Sequence, residues 1–402
     1  MTAVKGGAAV RPRRRAPAAG PRRQACSSGG RAADAATPNL GARILDRLRG
    51  APVVSGERLS ADLRVSRAAV WKHVERLRAL GYRIEAERTR GYRLAGAPDL
   101  LLPVEIERLL GTRRLGRTIV YFPATDSTNV QAARLARAGA SEGTLVVADH
   151  QTHGRGRLGR SWVSPAHVNL YASLVLRPNL APADAPQIGL AAAVAVARAL
   201  AALAPGKVAI KWPNDCLLDG RKVAGILTEM DAEVDRVRWV VLGIGVNLNA
   251  TARAFPRELR ATATSVWLAT GRKVDRVAFA AALCGALEAV YDALLHEGFG
   301  VLVGEWDAYS CLTGRVVTVE CAGQRTEGRV RGVDARGRLV LDGLRGEERI
   351  IAGDVTLVGG TPALRTAQVP REGGPRIDFA GRRPSEHGRE APARTGAKST
   401  DG

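Results

Sequence analysis

Cysteine is scarce here: Cys26, Cys216, Cys284, Cys311 and Cys321 are the only five in 402 residues, odd in number and widely scattered. That spacing excludes a disulfide framework, and no CxxC pair is present to seed a zinc site. No other side-chain cluster with metal-ligand spacing stands out. A reducing cytoplasm is the expected location. Long apolar runs are also missing. The longest, 190–205, is alanine-rich, contains Arg198 and is too short to span a bilayer. No apolar stretch follows the basic residues of MTAVKGGAAVRPRRR, so neither a secretory signal nor a membrane partner is expected. Acidic residues fall short as well, 39 against 60 lysines and arginines, for a net charge of +21. Such an excess points to a polyanionic partner, or to a solvated tail with nothing to bind.

The location of the charge separates these two readings. Residues 1–40 carry eight basic groups against one acidic, and 41–96 carry thirteen against six. The segments 1–38 and 360–402 are rich in Pro, Gly, Arg and Ala without apolar period, and read as disordered tails. The chain as a whole is 46% apolar and 25% charged, enough to build packed cores, and its length suggests two or three domains.

Residues 40–96 read as a winged helix-turn-helix. Ile44, Leu45 and Leu48 mark one helix, stopped by Gly50 and Pro52, and Leu59 and Leu63 mark a second after Ser55. Ser66 is placed to cap a third, with Val70, Val74 and Leu77 at i, i+4 and i+7 and Gly81 at its end. Two short strands across 82–94 would form the wing. Ser66, Arg67, Lys72, His73 and Arg76 on the third helix, with Arg88 and Arg90 on the wing, suit DNA, although solvated basic helices also serve in protein contacts.

Beyond a linker at 95–99, strands are expected at 145–150, 169–176, 207–212, 222–229 and 239–247, and helices at 129–138, 186–204 and 278–296. Together they predict an α+β unit over 100–312, a mixed sheet flanked by helices. Short alternating strands over 313–358, separated by Gly and Asp turns, read as a small β-barrel. Within the central unit, Gly154-Arg-Gly-Arg-Leu-Gly-Arg160 places three glycines and three arginines in seven positions. Those cations repel one another unless an anion sits among them, yet the loop matches neither GxxxxGK[ST] nor GxGxxG. A solvated surface loop is the other reading. In the strand at 207–212, Val208, Ile210 and Trp212 point one way and Lys211 the other. Pro213 would end it and release Asn214 and Asp215 into a loop. A return hairpin would bring Lys222 beside them, as a site cation or as an edge lysine paired with Asp215.

Asp126-Ser-Thr-Asn129, the 154–160 loop, Lys211-Trp-Pro-Asn-Asp215, Arg221-Lys-Val-Ala-Gly-Ile-Leu227 and Gly243-Ile-Gly-Val-Asn-Leu-Asn249, in this order, closely resemble the bacterial biotin protein ligases. Phe255-Pro-x-Glu-Leu259 and Ala263-Thr-Ser-Val266 look similar too, and Ser66-Arg-Ala-Ala-Val-Trp-Lys-His73 resembles the bifunctional type that is both ligase and repressor. The likeness implies two steps: biotin and ATP, with Mg²⁺, give biotinyl-5′-AMP, and biotin then passes to a lysine of a biotin carboxyl carrier protein. It also implies a homodimer on operator DNA, with the adenylate as co-repressor. By the same resemblance Ser127, Thr128, Asn129 and Gln151 hold biotin, while Arg155, Gly156, Arg157 and Lys222 line its carboxylate and the phosphates. Arg160, Lys211, Asn214, Asn247 and Trp267 border the nucleotide, Trp267 as an adenine stack or as core. Lys222, Arg157 and Asp215 carry the chemistry, Asp215 as proton acceptor or ammonium anchor. Thr89 departs from the pattern, standing where relatives often have the first glycine of the wing turn, so DNA regulation could be altered. A lipoate-type ligase and a biotin sensor without catalysis are the alternative functions.

Overall fold

In the computed structural model, which describes residues 40–321 and 323–358, the first elements are three short helices: α1 (Leu40–Arg49), α2 (Gly56–Leu63) and α3 (Arg67–Ala79). The expected tails at 1–38 and 360–402, and Cys26, lie outside the described residues. Serine caps start two of the helices, since Ser55 Oγ accepts from Arg58 N at 3.1 Å and Ser66 Oγ from Ala69 N at 3.2 Å. Each cap satisfies one amide that the helix itself leaves unbonded. Ile44, Leu45, Leu59, Val70 and Val74 bury together with Ile84 of the wing. The wing is an antiparallel pair, β1 (Arg83–Glu87) and β2 (Gly91–Gly96), in register from Ile84↔Leu94 to Glu87↔Gly91. Thr89 adopts φ +62°, the left-handed conformation that favours glycine, and the hairpin closes around it.

The next helix, α4 (Pro103–Leu109), fixes the winged unit to the rest of the chain. Its Glu105 is buried, ion-paired with Arg49 of α1 and accepting the Tyr82 hydroxyl at 2.5 Å. Seven strands then form the central sheet: β3 (Ile119–Phe122), β4 (Leu145–Ala148), β5 (Leu170–Leu176), β6 (Val208–Lys211), β7 (Asp215–Leu218), β8 (Arg221–Ala232) and β9 (Val237–Val246). Their order is β3-β4-β5-β9-β8-β7-β6. Only β3–β4 is parallel, which makes the sheet mixed. Helix α5 (Thr128–Arg137) covers one face through Ala132, Ala133 and Ala136 against Val146, Val175, Trp239 and Val241. On the other face lie α6 (Pro186–Ala201) and, beyond the short α7 (Val266–Thr270), α8 (Arg276–Glu297).

Helix α8 has the length and apolarity of a membrane-crossing segment, 22 residues containing an 18-residue window of mean hydropathy 1.6, although charged residues interrupt its apolar run. It is instead a core helix, 67% of that window being buried against α6 and the sheet. After α9 (Val303–Tyr309) come β10 (Val316–Cys321), β11 (Gln324–Val333), β12 (Leu339–Gly343), β13 (Gly346–Ile350) and β14 (Asp354–Leu357). They form an antiparallel sheet ordered β13-β12-β11-β10-β14, with β13 and β14 at its ends, so the small barrel is open. Val317, Val319, Val330, Leu339 and Leu341 bury in the same core as the central sheet.

The expected strands and long helices all appear. Two further strands, β3 and β7, go beyond the sequence expectation, and β7 corrects a site residue. Asp215 does not sit in a loop: the chain reverses over 212–214, with a cis Trp212–Pro213 bond, and Asp215 pairs with Lys211 as the first residue of β7.

One buried cation ties the interdomain linker to the sheet. Arg276, at the start of α8, is 0% exposed; its Nη1 donates to Asp149 Oδ1 at 2.8 Å and its Nε to Asp99 Oδ1 at 2.9 Å. Asp149, also 0% exposed, accepts the Tyr121 hydroxyl at 2.6 Å through its other oxygen. Removing one member of such a pair leaves a buried charge uncompensated, at about 3–5 kcal/mol. Arg276→Met is therefore expected to lower unfolding free energy by about that much in urea titration; an unchanged midpoint would show that the pair contributes nothing net.

Candidate active site

The floor of the site is built where α5 begins. Ser127, Thr128 and Asn129 are buried there, and Gln151 follows β4. Gln151 Oε1 accepts from Thr128 N at 2.8 Å and from Thr128 Oγ1 at 3.1 Å, while its Nε2 donates to Ser164 Oγ at 2.9 Å. Ser173 Oγ lies 2.8 Å from Thr128 Oγ1 and 2.7 Å from Asn129 Oδ1. Asn129 Nδ2 donates to Glu229 Oε2 at 2.8 Å. Gly243 makes room for this arrangement, since a Cβ there would stand 1.9 Å from Asn129 Oδ1.

A tryptophan that the motifs did not single out forms a wall. Gly225 and Gly245 face each other across β8–β9 and leave a bare strip on which Trp162 lies. A Cβ at Gly245 would stand 2.6 Å from the indole and one at Gly225 2.9 Å. Glycine inside a strand signals such a close approach, and that signal is present in the sequence. Trp162 N donates to Gly154 O at 2.8 Å, which closes the base of the glycine-arginine loop. The Lys222 ammonium sits over the indole, 5.5 Å from its centroid.

The cations then converge. Arg155 pairs with Glu229 at 2.9 Å, and Arg157 donates to Asn214 Oδ1 at 3.1 Å and Gly353 O at 3.4 Å. Arg160 pairs with Asp354, and Lys222 Nζ stands 2.7 Å from Asp215 Oδ1. The three loop arginines thus do not need an anion among them to be compatible; each already has a protein acceptor. Lys222 meets Asp215 as its edge-lysine reading expected, and also faces the cavity. That cavity, about 680 Å³, is lined by Ser127, Thr128, Asn129, Gln151, Arg155, Gly156, Arg157, Arg160, Lys211, Asn214, Asp215, Lys222 and Asn247. Phe255, Leu259, Ala263 and, from the terminal sheet, Asp354 to Thr356 complete it. Next to Asp215, Cys216 is fully buried, and burial together with the Asp215 charge pushes its thiol up, which disfavours a thiolate at that position.

Two expected nucleotide neighbours stand differently. Trp267, on α7, does not line the cavity; Lys273 lies over its ring at 5.0 Å. Asn247 lines it, but its amide is engaged, donating to Thr264 O at 3.1 Å and accepting from Asn169 at 3.2 Å. On the winged unit, Arg67, Lys72 and Arg76 are exposed on α3 and Arg88 and Arg90 on the wing, Arg90 paired with Glu87. The Ser66 hydroxyl is spent on its cap. His73 is only partly exposed, and burial, with the charges of Arg76 and Lys72, lowers its pKa.

A cation-lined cavity on a mixed sheet, carried between a winged helix-turn-helix and a small terminal sheet, defines a protein that takes a substrate with carboxylate or phosphate groups beside a helix-turn-helix module. Residues 121–247 match the Biotin/lipoate A/B protein ligase family, 42–93 an HTH domain and 313–358 the Biotin protein ligase C terminal domain. The chain is 41% identical over 308 residues to the Bifunctional ligase/repressor BirA of Bacillus spizizenii, spanning 77% of this chain and 95% of that protein. It is 32% identical over 318 residues to the protein of the same name from Escherichia coli, spanning 78% and 94%. The structure is similar to a biotin protein ligase from Aquifex aeolicus in complex with biotin and ATP, at 28% identity and a TM-score of 0.52, over 60% of this chain and 98% of that one. The chain belongs to the biotin protein ligases, in their bifunctional ligase/repressor branch.

If the bare glycine strip anchors the loop, Gly245→Ala must push Trp162 off the sheet, at an overpacking cost of about 1–3 kcal/mol. Limited trypsin digestion is expected to cut at Arg155, Arg157 or Arg160 faster in that variant than in the unaltered protein. Equal cleavage would mean that Trp162 does not hold the loop.

Proposed function

We propose that this protein joins biotin to ATP to form biotinyl-5′-AMP and pyrophosphate, then transfers biotin to a lysine of the biotin carboxyl carrier protein of acetyl-CoA carboxylase. In the same reading it is a biotin-responsive repressor of biotin-synthesis genes in the cytoplasm. With carrier scarce, the adenylate persists as co-repressor, two copies pair through the central sheet, and their winged units meet a two-fold operator. The working domain limits are 40–96, 100–312 and 313–358. The observation that carries the ligase reading is the convergence of five separated sequence segments on one cavity.

The biotin carboxylate is already ionised at pH 7, so activation needs no general base. The obstacle is one anion attacking another, a repulsion of about 4 kcal/mol per charge pair at 4 Å and an effective dielectric near 20. Lys222, Arg155 and Arg157 face the carboxylate and the α-phosphate and offset it, with Arg160, Lys211 and Asn214 along the nucleotide. Mg²⁺ arrives on the ATP as part of the substrate. Ser127, Thr128, Asn129 and Gln151 offer the polar floor for biotin, and the glycine-arginine loop closes over the mixed anhydride, keeping water from it. Transfer requires a neutral lysine, which costs about 4.6 kcal/mol at pH 7 for a pKa near 10.4. Asp215 takes that proton or anchors the ammonium once Lys222 turns to phosphate.

The test is pyrophosphate exchange into ATP followed by carrier labelling. Exchange is expected with biotin and not with lipoate; the reverse pattern would overturn the assignment. Asp215→Asn should exchange normally yet label carrier more slowly, by about 10²-fold if the carboxylate acts as a base. Labelling at the unaltered rate would remove Asp215 from the second step.

A further inference from the structure

Trp71 is used by neither the fold nor the ligation site. It stands on α3 with 58% of its surface exposed, while the other five tryptophans are buried or partly buried. Val70, Val74 and Leu77 of the same helix turn into the winged core, so the indole projects away from it. One turn before it lies Arg67, beside it Lys72, and one turn beyond Lys72 lies Arg76. These three cations have no carboxylate or hydrogen-bond partner among the described residues. Arg47, Arg49, Arg58, Arg78, Arg90 and Arg93 of the same unit are all ion-paired. The one acid on α3, Glu75, is occupied by Arg78 at 2.6 Å. An exposed aromatic among unpaired cations, on a unit where most other cations are neutralised, calls for an occupant that is anionic and offers apolar groups between its charges. Duplex DNA does both, with phosphates along the groove edges and thymine methyls on its floor.

We propose that Trp71 enters the major groove and packs its indole on thymine methyl groups, setting sequence preference within each half-site while Arg67, Lys72 and Arg76 hold the phosphates. This rests on the repressor reading. It assigns base readout to the residue without charge, and phosphate positioning to its charged neighbours.

The experiment uses the full chain with biotin and ATP present. Duplexes are selected from a random pool with the unaltered protein, and affinity is then measured against salt for the selected duplex and a scrambled one. Trp71→Ala should bind the selected duplex roughly 10-fold more weakly. The scrambled duplex and the salt slope should be nearly untouched. Lys72→Ala should weaken both duplexes and lower the slope by about one. Replacing thymine by deoxyuridine in the selected duplex should cost the unaltered protein about threefold per lost methyl contact, and cost Trp71→Ala nothing further. Trp71→Phe should recover part of the preference. Carrier biotinylation and thermal melting should match the unaltered protein in every variant.

Unchanged affinity of Trp71→Ala, or an equal loss on both duplexes, overturns the proposal and leaves the repressor reading standing, with the indole then free for a protein surface. Selection of no duplex by the unaltered protein overturns the repressor reading, and this proposal with it.

Discussion

The site exists because two strands omit their side chains at the same level. Gly225 and Gly245 are directly opposed across β8–β9, and the indole of Trp162 occupies the volume their side chains would take. From that anchor the rest follows by short steps. The Trp162 amide closes the base of the glycine-arginine loop on Gly154, and its carbonyl accepts Ser164 Oγ, which in turn receives Gln151. The ring also lies under Lys222. Wall, floor and principal cation are thus positioned by one aromatic packed on bare backbone, where a methyl group at either glycine would meet ring carbon.

Charge is handled with comparable economy. Four cations around a cavity of about 680 Å³ would repel one another if left alone. Arg155, Arg157, Arg160 and Lys222 are instead held by Glu229, Asn214 with the Gly353 carbonyl, Asp354 and Asp215. None of these ion pairs is fully buried, so exchanging the acceptors for a ligand's oxygens requires no charge to be stranded in apolar surroundings. Two of the acceptors, Gly353 and Asp354, belong to the terminal segment, which makes that sheet a wall of the site as well as part of the core.

At the other end of the molecule the winged unit is bound to the ligation unit by polar contacts centred on two buried charged groups, Glu105 and Arg276. Glu105 holds Arg49 and Tyr82, and Arg276 holds Asp99 of the linker together with Asp149, two residues before Gln151. The ring of Tyr121 packs on the winged core while its hydroxyl reaches Asp149. The linker between DNA-binding and ligation units is therefore pinned to the strand that ends in the floor of the cavity, giving the two halves a common set of contacts.

Local chemistry was legible along the chain. Helix starts at Ser55 and at Ser66, the inward Val70, Val74 and Leu77, and the alternating strands appear as read, because capping and periodicity depend on residues three or four apart. Candidate ligand residues far apart in sequence could be gathered into one site through resemblance, and all but Trp267 line the cavity. What tertiary structure alone decided involves partners that no local rule connects: Trp162 as the wall on Gly225 and Gly245, Arg160 on Asp354 194 residues away, Arg157 on Gly353, and Asp215 in a strand rather than a loop. Each depends on where the sheet's backbone comes close enough to exclude or admit a side chain. That distance is set by the packing of the whole unit, and a local window of residues does not contain it.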